Sequence, residues 1–424
     1  MRYLLLGLCL AVVINSCTAP GKTRRPADAP ERSDWGKSQP NIRVLLDDSR
    51  GKIVISSNGG FTVETAQGMK LLQSPGRGNL TITARYPSVE LAVEPGGGVA
   101  TASGEVRVVP VSKNALWVGK IPYAGVMSLS AKSSGTLMLR NILPLETYLE
   151  GVLPYEIGNP GPDGFDALKS QAVAARTYAL GKIDKNSGKE FDVYSSVLDQ
   201  VYKGKESENK HASSAVSDTR GQVLDYNGET VTAYYCACCG GHTSDIREVW
   251  PKRQAADYLH GVLDQDGRWR QAFCRENKYF RWRYSYTGSE LGRILRETIP
   301  RELKFKAEDV GALQDIKIND RTASGRVRSI TIETTRGDFV VFGDQIRWVL
   351  VADLKKRRIL PSVMFRLEKV FEKDQVAFVS IVGGGNGHGV GMCQNGAIAM
   401  SKKGYTYKMI LEHYYPGCRV VKAY

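Results

Sequence analysis

The chain contains 424 residues, of which 42% are hydrophobic and 24% charged, and it carries a formal net charge of +14. This composition is that of a globular protein with two or three domains, and the lack of any repeat of fixed period excludes a solenoid. The positive charge favours an anionic partner, either nucleic acid or a surface such as a cell-wall polymer or a lipid headgroup.

The N-terminal segment has the features of an export signal. Arg2 precedes an apolar run, Tyr3 to Ile14, that matches a signal-peptide core and is shorter than the ~20 residues needed to span a bilayer. The next residues, Ile-Asn-Ser-Cys ending at Cys17, resemble a bacterial lipobox, whose cysteine is lipidated after cleavage. A plain signal peptide is the alternative, because Asn15 is not the commonest residue at its position in a lipobox. We therefore expect an exported lipoprotein that faces the cell wall or periplasm, and nucleic acid is excluded as its partner.

Four segments are predicted along the chain. Residues 1–17 form the signal peptide, and residues 18–40, rich in Pro, Ser, Lys and Arg, form a flexible tether. Residues 41–134 contain short alternating apolar runs such as KIVISS and VELAV, which predict a small β domain without visible catalytic groups. Residues 135–424 mix strands with a few helices in no regular βαβ order. The predicted fold class is therefore α+β, with a strand-rich catalytic domain after the small β domain.

The stretch FDALKSQAVAARTYALGKI is the strongest helix prediction. Its apolar residues recur at helical spacing and are Phe165, Leu168, Ala172, Ala175 and Ala179. Gln171 and Tyr178 are seven residues apart and share a face, as do Lys169 and Arg176. One face can present Gln171 and Tyr178 to a sugar; a solvated polar face explains the same spacing. Further helices are predicted at SELGRILRETI, NGAIAMSKKG and YKMILEHYY.

Glu156 is the candidate acid. It lies in VLPYEIG, where apolar neighbours would raise the pKa of its carboxyl group by removing water. A carboxylic acid that is protonated near neutral pH is what cleavage of a glycosidic bond requires. The alternative is a glutamate at a strand end that faces solvent. We expect Glu146 and Glu150, in LPLETYLEG, to be exposed.

A group of cysteines suggests a metal site. The segment YYCACCGGHTSD places Cys236, Cys239 and His242 at spacings that can bind zinc, with Cys274 as a fourth ligand. A disulfide between Cys239 and Cys274 is the alternative, since an exported protein meets an oxidising compartment.

A glycine-rich stretch, GGGNGHGVGMCQNGA, contains His388, Gln394 and Asn395. Glycine allows positive φ and lets another chain approach closely, so a dense run of glycines favours a functional loop. A flexible surface loop with an incidental histidine is the alternative.

Several motifs together resemble the stage II sporulation protein D (SpoIID/LytB) family. They are LPLETYLEGVLPYEI, ALKSQAVAARTYAL, VYKG, TRGQVLDYNG, CGGHTSD followed by VW, SGRVRSITI, FGDQIRWVL and GHGVGMCQNGAIAMSKKGYTYKMILEHYYPG. The resemblance covers Gly135 to Tyr424. It implies a peptidoglycan lytic transglycosylase, or a relative that enhances an amidase.

The resemblance also implies roles for individual residues. The family's acid lies in a V-x-x-x-E segment before the helix that ends in ARTY, which is Glu156 here. In the family the GHG loop borders the substrate cleft, so its glycines would lie against a glycan, and His388 and Gln394 would bind sugar or position Glu156. The residues expected to bind substrate are Gln171, Arg176, Tyr178, Tyr202, His388, Gln394 and Tyr414.

Two departures from the family pattern concern the cysteines. Cys236, Cys238 and Cys239 stand where many members have histidine and serines, and Cys393 stands where a serine commonly precedes the glutamine. A family zinc ion has precedent, but these changes leave its ligand set open.

The predicted reaction is cleavage of the MurNAc–GlcNAc β-1,4 bond without water. The 6-hydroxyl of the muramoyl residue closes a 1,6-anhydro ring, so no second carboxylate is needed to activate water. A non-catalytic wall-binding protein that stimulates a partner amidase is the main alternative. A zinc hydrolase that uses the cysteine–histidine cluster is a third alternative. We rank it last, because cysteine-rich clusters more often build closed structural sites than catalytic ones.

Overall fold

The computed structural model describes residues 38–267 and 270–424. The predicted signal peptide, Cys17 and nearly all of the tether lie outside the described residues. The strands of the N-terminal part are β1 Asn41–Asp47, β2 Lys52–Ser57, β3 Phe61–Thr65, β4 Lys70–Ser74, β5 Gly78–Arg85, β6 Ser88–Glu94, β7 Gly98–Ser103, β8 Val106–Pro110, β9 Leu116–Val118, β10 Ile121–Tyr123, β11 Val126–Ala131 and β12 Leu137–Pro144.

Helices and short strands alternate irregularly in the rest of the chain. In chain order they are α1 Leu145–Glu156, α2 Phe165–Lys185, β13 Val193–Tyr194, α3 Lys210–Asp218, β14 Gln222–Tyr226, β15 Glu229–Thr230, β16 Tyr235–Cys236, α4 Ile246–Val249, β17 Gln265–Asp266, β18 Gln271–Ala272, β19 Trp282–Thr287, α5 Gly288–Leu303, β20 Leu313–Arg321, β21 Val327–Thr334, β22 Gly337–Phe342, α6 Ile346–Val349, β23 Phe365–Glu372, β24 Gln375–Gly383, β25 Met392–Cys393, α7 Gln394–Lys402, α8 Tyr407–Tyr414 and β26 Arg419–Lys422.

Two sheets form the N-terminal part. One has the order β13-β1-β12-β11-β8-β3-β4 and the other β10-β9-β2-β5-β6-β7. Alternate residues of each strand point inward, so that Ile53 and Ile55 of β2 and Phe61 and Val63 of β3 belong to one buried core. That core continues into α1 and α2, and β12, which begins after residue 134, pairs with both β1 and β11. The first sheet therefore supplies the base on which the helices pack.

Helix α2 is the central element of the helical part. It packs against α1, α3, α7 and α8, so buried residues occur on most of its circumference and include Ala172, Val173, Ala174 and Ala175. The apolar stripe expected from the sequence is therefore wider in the structure. Alanine suits these positions because it lets neighbouring helices approach closely.

A third group of elements has its own core. The sheets β19-β24-β23 and β20-β21-β22 enclose apolar residues together with α5, whose Leu291, Ile294 and Leu295 are buried. Helix α5 begins with a capping box, in which Thr287 and Glu290 each accept from the other's backbone N–H.

The strand-rich α+β class predicted from the sequence is confirmed, as are the helices α5, α7 and α8. Glu156 ends a helix, however, and does not lie at the end of a strand. Among the described residues no helix is both long and apolar enough to cross a membrane.

Candidate active site

Glu156 is the last residue of α1, where its side chain is partly buried. The backbone N–H of Val201 donates to its Oε1 at 2.8 Å, and the side chain of Gln394 also contacts the carboxyl group. Burial raises the pKa of Glu156 to about 7, although both hydrogen bonds act in the opposite direction. The C-terminal end of a helix also disfavours negative charge. No ion pair within residues 38–267 and 270–424 includes Glu156. The carboxyl group is therefore half protonated near neutral pH.

Two glutamines connect this acid to the centre of α2. Gln394 Nε2 donates to Gln171 Oε1 at 3.3 Å, and both side chains are buried. Gln171 Nε2 has no hydrogen-bond partner within the described residues. Gln394 thus touches Glu156 on one side and Gln171 on the other, which fixes the direction of its amide.

A second network lies beside Glu156. Tyr148 donates to Gln200 Oε1 at 3.1 Å, and Gln200 Nε2 donates to the hydroxyl of Tyr235 at 2.9 Å. Burial raises the pKa of both tyrosines, and the nearby Glu156 carboxylate adds to this effect. The groups around the acid are therefore neutral. None of these three residues was predicted from the sequence, although Tyr148 lies two turns before Glu156 and Gln200 directly precedes the VYKG motif.

A row of rings runs from α2 towards the glycine loop. Tyr178 donates to Asp199 Oδ1 at 2.7 Å, and its ring centroid lies 6.1 Å from that of Tyr234. Tyr234 and Trp250 are 5.0 Å apart, and Trp250 and His388 are also 5.0 Å apart. Tyr178 is only partly buried, so its ring is accessible to a ligand, and its role in substrate binding stays a prediction.

His388 is held as a neutral ring. The N–H of Val390 donates to its Nδ1 at 3.0 Å, and the other side of the ring faces the backbone of Tyr235. Burial lowers the pKa of His388 to about 4. This histidine is therefore uncharged at neutral pH and does not supply a cation to the site.

The glycines of this loop face the protein itself. A Cβ on Gly389 would lie 2.2 Å from Arg326 Nη2, and one on Gly391 would lie 2.0 Å from the carbonyl oxygen of Tyr234. Both residues also have positive φ. The sequence-based expectation was that these glycines lie against a glycan. At Gly389 and Gly391 they instead allow other parts of the same chain to pack closely.

Five of the seven expected substrate-binding residues are buried: besides Gln171 and Gln394, three more lie in structural contacts. Arg176 is 0% exposed and donates to both carboxyl oxygens of Glu146, at 2.8 and 2.7 Å. Tyr202 donates to Asn141 at 2.8 Å, and Tyr414 donates to Asp264 at 2.5 Å. None of these three side chains is accessible to a glycan in this fold.

Glu146 differs from the sequence expectation as well, because it is 5% exposed. Burial alone would raise the pKa of its carboxyl group, but Arg176, Tyr424 and the N–H of Gly221 together hold it below its usual value. Glu150 is partly buried, and burial and the nearby Glu208 raise the pKa of its carboxyl group.

The cysteines form a cluster that differs from the expected zinc set. Ligand atoms of Cys239, Asp264, Cys274 and Cys393 all lie within 4.8 Å of one another, and all four residues are buried. Cys236 and His242 are outside this group. The six cysteines of the described residues are free thiols, so the Cys239–Cys274 disulfide is not formed. Cys393 and Asp264 were not predicted as members of this cluster, because they lie far from the CACC segment in sequence.

Trp250 also lines a cavity of about 740 Å³. Two further aromatic side chains, Phe342 and Trp348, and two cations, Lys252 and Arg253, line the same cavity. Glu156 is not among its lining residues.

Comparison with protein families gives two matches. The model described as Stage II sporulation protein matches residues 133–226, the segment that contains Glu156. A second model, described as a domain of unknown function (DUF8618), matches residues 242–391.

Relatives from Brachyspira hyodysenteriae and Bacillus subtilis are similar to this chain. An uncharacterised protein of Brachyspira hyodysenteriae is 34% identical over 293 residues, which cover 68% of this chain and 69% of the relative. Stage II sporulation protein D of Bacillus subtilis is 26% identical over 345 residues, which cover 78% of this chain and 88% of the relative. The amidase enhancer of Bacillus subtilis is 29% identical over 291 residues, 63% of this chain but only 39% of that protein.

Proposed function

This chain belongs to the stage II sporulation protein D (SpoIID/LytB) family, and we propose that it is a peptidoglycan lytic transglycosylase. It would cleave the MurNAc–GlcNAc β-1,4 bond and leave 1,6-anhydro ends. The observation that carries this proposal is the carboxyl group of Glu156, which has a pKa of about 7 and no ion-pair partner among the described residues.

In this reaction Glu156 acts twice. Its protonated carboxyl group donates the proton to the glycosidic oxygen, and the bond from that oxygen to the muramoyl C1 breaks. The carboxylate then takes the proton of the 6-hydroxyl, whose oxygen bonds to C1 and closes the anhydro ring. The nucleophile belongs to the substrate, so the protein needs a single carboxyl group, and the intramolecular attack has a low entropic cost.

The neighbours of Glu156 suit both steps. Before proton transfer, the surroundings exclude water and favour the neutral acid. After transfer, the N–H of Val201 and the amide of Gln394 stabilise the carboxylate by hydrogen bonds. Gln171 holds Gln394 in place and would act as a positioning residue.

The cavity beside Trp250 is the proposed binding site for a part of the glycan remote from the cleaved bond. Aromatic faces of Trp250 and Trp348 suit the apolar face of a sugar ring, and Lys252 and Arg253 suit the carboxylates of stem peptides. The contact between Trp250 and His388 joins this cavity to the glycine loop.

The expected location is outside the cytoplasm, with the chain anchored to a membrane by a lipid on Cys17. The net charge of +14 suits anionic wall polymers. Fractionation of cells that express Cys17→Ala tests the anchor: the variant should be released from the membrane fraction. Wild-type protein that is wholly soluble would leave only a plain signal peptide.

A second function is supported by the similarity to the amidase enhancer. In that case the chain would bind the wall without cleaving it and would stimulate a partner amidase. Such a protein would keep the cleft but would tolerate the loss of Glu156.

Digestion of purified glycan strands distinguishes the two functions. Mass spectrometry should find 1,6-anhydro ends after incubation with the wild-type protein. No anhydro product, together with faster cleavage by an added amidase, would favour the enhancer.

A further inference from the structure

We propose that Cys239, Asp264, Cys274 and Cys393 bind one zinc ion, which joins four separate segments of the chain. Cys239 lies in the loop after β16, and Asp264 directly precedes β17. Cys274 lies in the turn after β18, and Cys393 ends β25. The inference does not depend on the proposed enzymatic activity, because it concerns what holds these segments together.

The geometry suits a tetrahedral metal better than a disulfide. Sγ of Cys239 lies 3.8 Å from Sγ of Cys274. In a tetrahedral site with zinc–sulfur bonds of about 2.3 Å, two sulfurs are roughly 3.8 Å apart. A disulfide requires about 2.0 Å. The remaining donor atoms lie within 4.8 Å of one another, so a small inward movement brings each of them to bonding distance.

Hydrogen bonds to the sulfurs are those of thiolate ligands. The N–H of Cys239 donates to Sγ of Cys393 at 3.2 Å, and the N–H of Gly396 donates to the same sulfur at 3.4 Å. The N–H of Gly241 donates to Sγ of Cys239, also at 3.4 Å. Backbone donors of this kind offset the charge of thiolates bound to a metal.

Asp264 is oriented as a ligand would be. It is 0% exposed, and its two oxygens accept from the hydroxyl of Tyr414 and the N–H of Cys274. No ion pair within residues 38–267 and 270–424 includes this carboxylate. A buried charge without a cation is costly, and a zinc ion supplies one. A Cβ on Gly396 would overlap the hydroxyl of Tyr414 and Oδ1 of Asp264, so glycine is required there.

The donor set indicates the metal and its role. Three thiolates select a soft or borderline ion such as Zn²⁺. All four ligands are buried, and a closed site of this kind stabilises structure and leaves no position for a substrate. Because Cys393 directly precedes Gln394, the ion would also fix the residue that contacts Glu156.

Elemental analysis of the full-length protein, purified under a thiol-free reductant with zinc chloride present, tests the proposal. We expect one zinc per chain in the wild type and near zero in Cys274→Ser. Cys418→Ser is the matched control, since Cys418 is a buried thiol outside the cluster, and it should retain one zinc. A wild-type protein without metal, with a Cys239–Cys274 disulfide mapped in unreduced peptides, would overturn the proposal.

Two further measurements do not depend on variants that fold. Removal of zinc from the wild type by a chelator should lower the melting temperature and expose additional reactive thiols, and zinc chloride should reverse both changes. An unchanged melting temperature would overturn the structural role.

Cys238 lies beside Cys274 and Cys393, so it is the rival fourth ligand. Zinc that is retained in Asp264→Asn but lost in Cys238→Ser would overturn the assignment of Asp264.

Discussion

The two ends of helix α1 carry glutamates in opposite states. At its N-terminal end Glu146 forms a two-point ion pair with the buried Arg176, and the pKa of Glu146 lies below its usual value. At its C-terminal end Glu156 has no ion-pair partner among the described residues, and burial raises its pKa to about 7. The same residue type, ten positions apart, is thus a fixed anion at one end and a carboxyl group with a raised pKa at the other.

Burial is common to both glutamates, so the partner decides the outcome. Removal of water raises the pKa of each carboxyl group, and only Glu146 receives a guanidinium group that reverses the effect. The helix dipole acts in the same sense, because it favours negative charge near the N-terminus and disfavours it near the C-terminus. Each of the following changes alters one end and leaves the other intact.

The largest effect is expected when Arg176 loses its charge. Arg176→Met leaves the Glu146 carboxylate buried without a partner, and we expect the free energy of unfolding to fall by about 3–5 kcal/mol in chemical denaturation. Lys169→Met is the control on the same helix, since Lys169 pairs with the half-exposed Asp218 and should cost less than about 1 kcal/mol. An equal fall in the free energy of unfolding in both variants would show that the buried ion pair stabilises the fold no more than the exposed one.

The second change is Glu156→Gln, which keeps the size of the side chain but removes the transferable proton. Formation of anhydro products should fall by at least ~10²-fold, while binding to glycan strands is retained. Glu150→Gln, on the same helix, should remain near wild type. Full activity in Glu156→Gln would remove this residue as the acid.

The third prediction concerns pH. Because the first step needs the protonated acid, kcat/KM of the wild type should decline about tenfold per pH unit above the pKa of Glu156, which is about 7. A rate that stays constant between pH 6 and roughly pH 9 would contradict the assigned role.

The smallest effect is on stability. The folded protein favours the protonated form of Glu156. The stability that this carboxyl group contributes is therefore fully present below its usual pKa of 4.5 and is lost as pH rises through about 7. Glu156→Gln should therefore be more stable than wild type at pH 8, by on the order of 1–3 kcal/mol, and equal to it at pH 4. Thermal unfolding at the two pH values measures this difference. If Glu156→Gln gained the same stability at pH 4 and at pH 8, burial would not disfavour the ionised form of this carboxyl group.

Local sequence pattern predicted the helices α2, α5, α7 and α8 and the fold class, because these depend on residue periodicity. The apolar neighbours of Glu156 in sequence were enough to predict its raised pKa, but the groups that contact its carboxyl group, Val201 and Gln394, lie far away in the sequence. Arg176 was placed on a polar face because spacing along a helix does not reveal what packs against each side. Its partner Glu146 lies 30 residues away, across a contact between two helices.

The cysteine cluster shows the same limit. The CACC segment indicated Cys239, and the choice of Cys274 as its partner was correct in space. Cys236 and His242 fitted the spacing but lie outside the cluster. Cys393 reaches it through the pairing of β25 with β16, which the sequence spacing did not reveal. Asp264 carried no signal in the sequence, as its role depends on contacts with Tyr414 and Cys274.

The ion pair at the start of α1 also has a kinetic consequence. Glu146 is contacted by Arg176, Gly221 and Tyr424, and the last of these lies 278 residues further along the chain. Contacts of such long range close slowly, because the entropy of a large loop must be lost before the contact forms. A chain that emerges N-terminus first cannot complete this junction until residue 424 has arrived. Until then Glu146 has fewer partners, and we expect α1 to be among the last elements to reach full protection from hydrogen exchange.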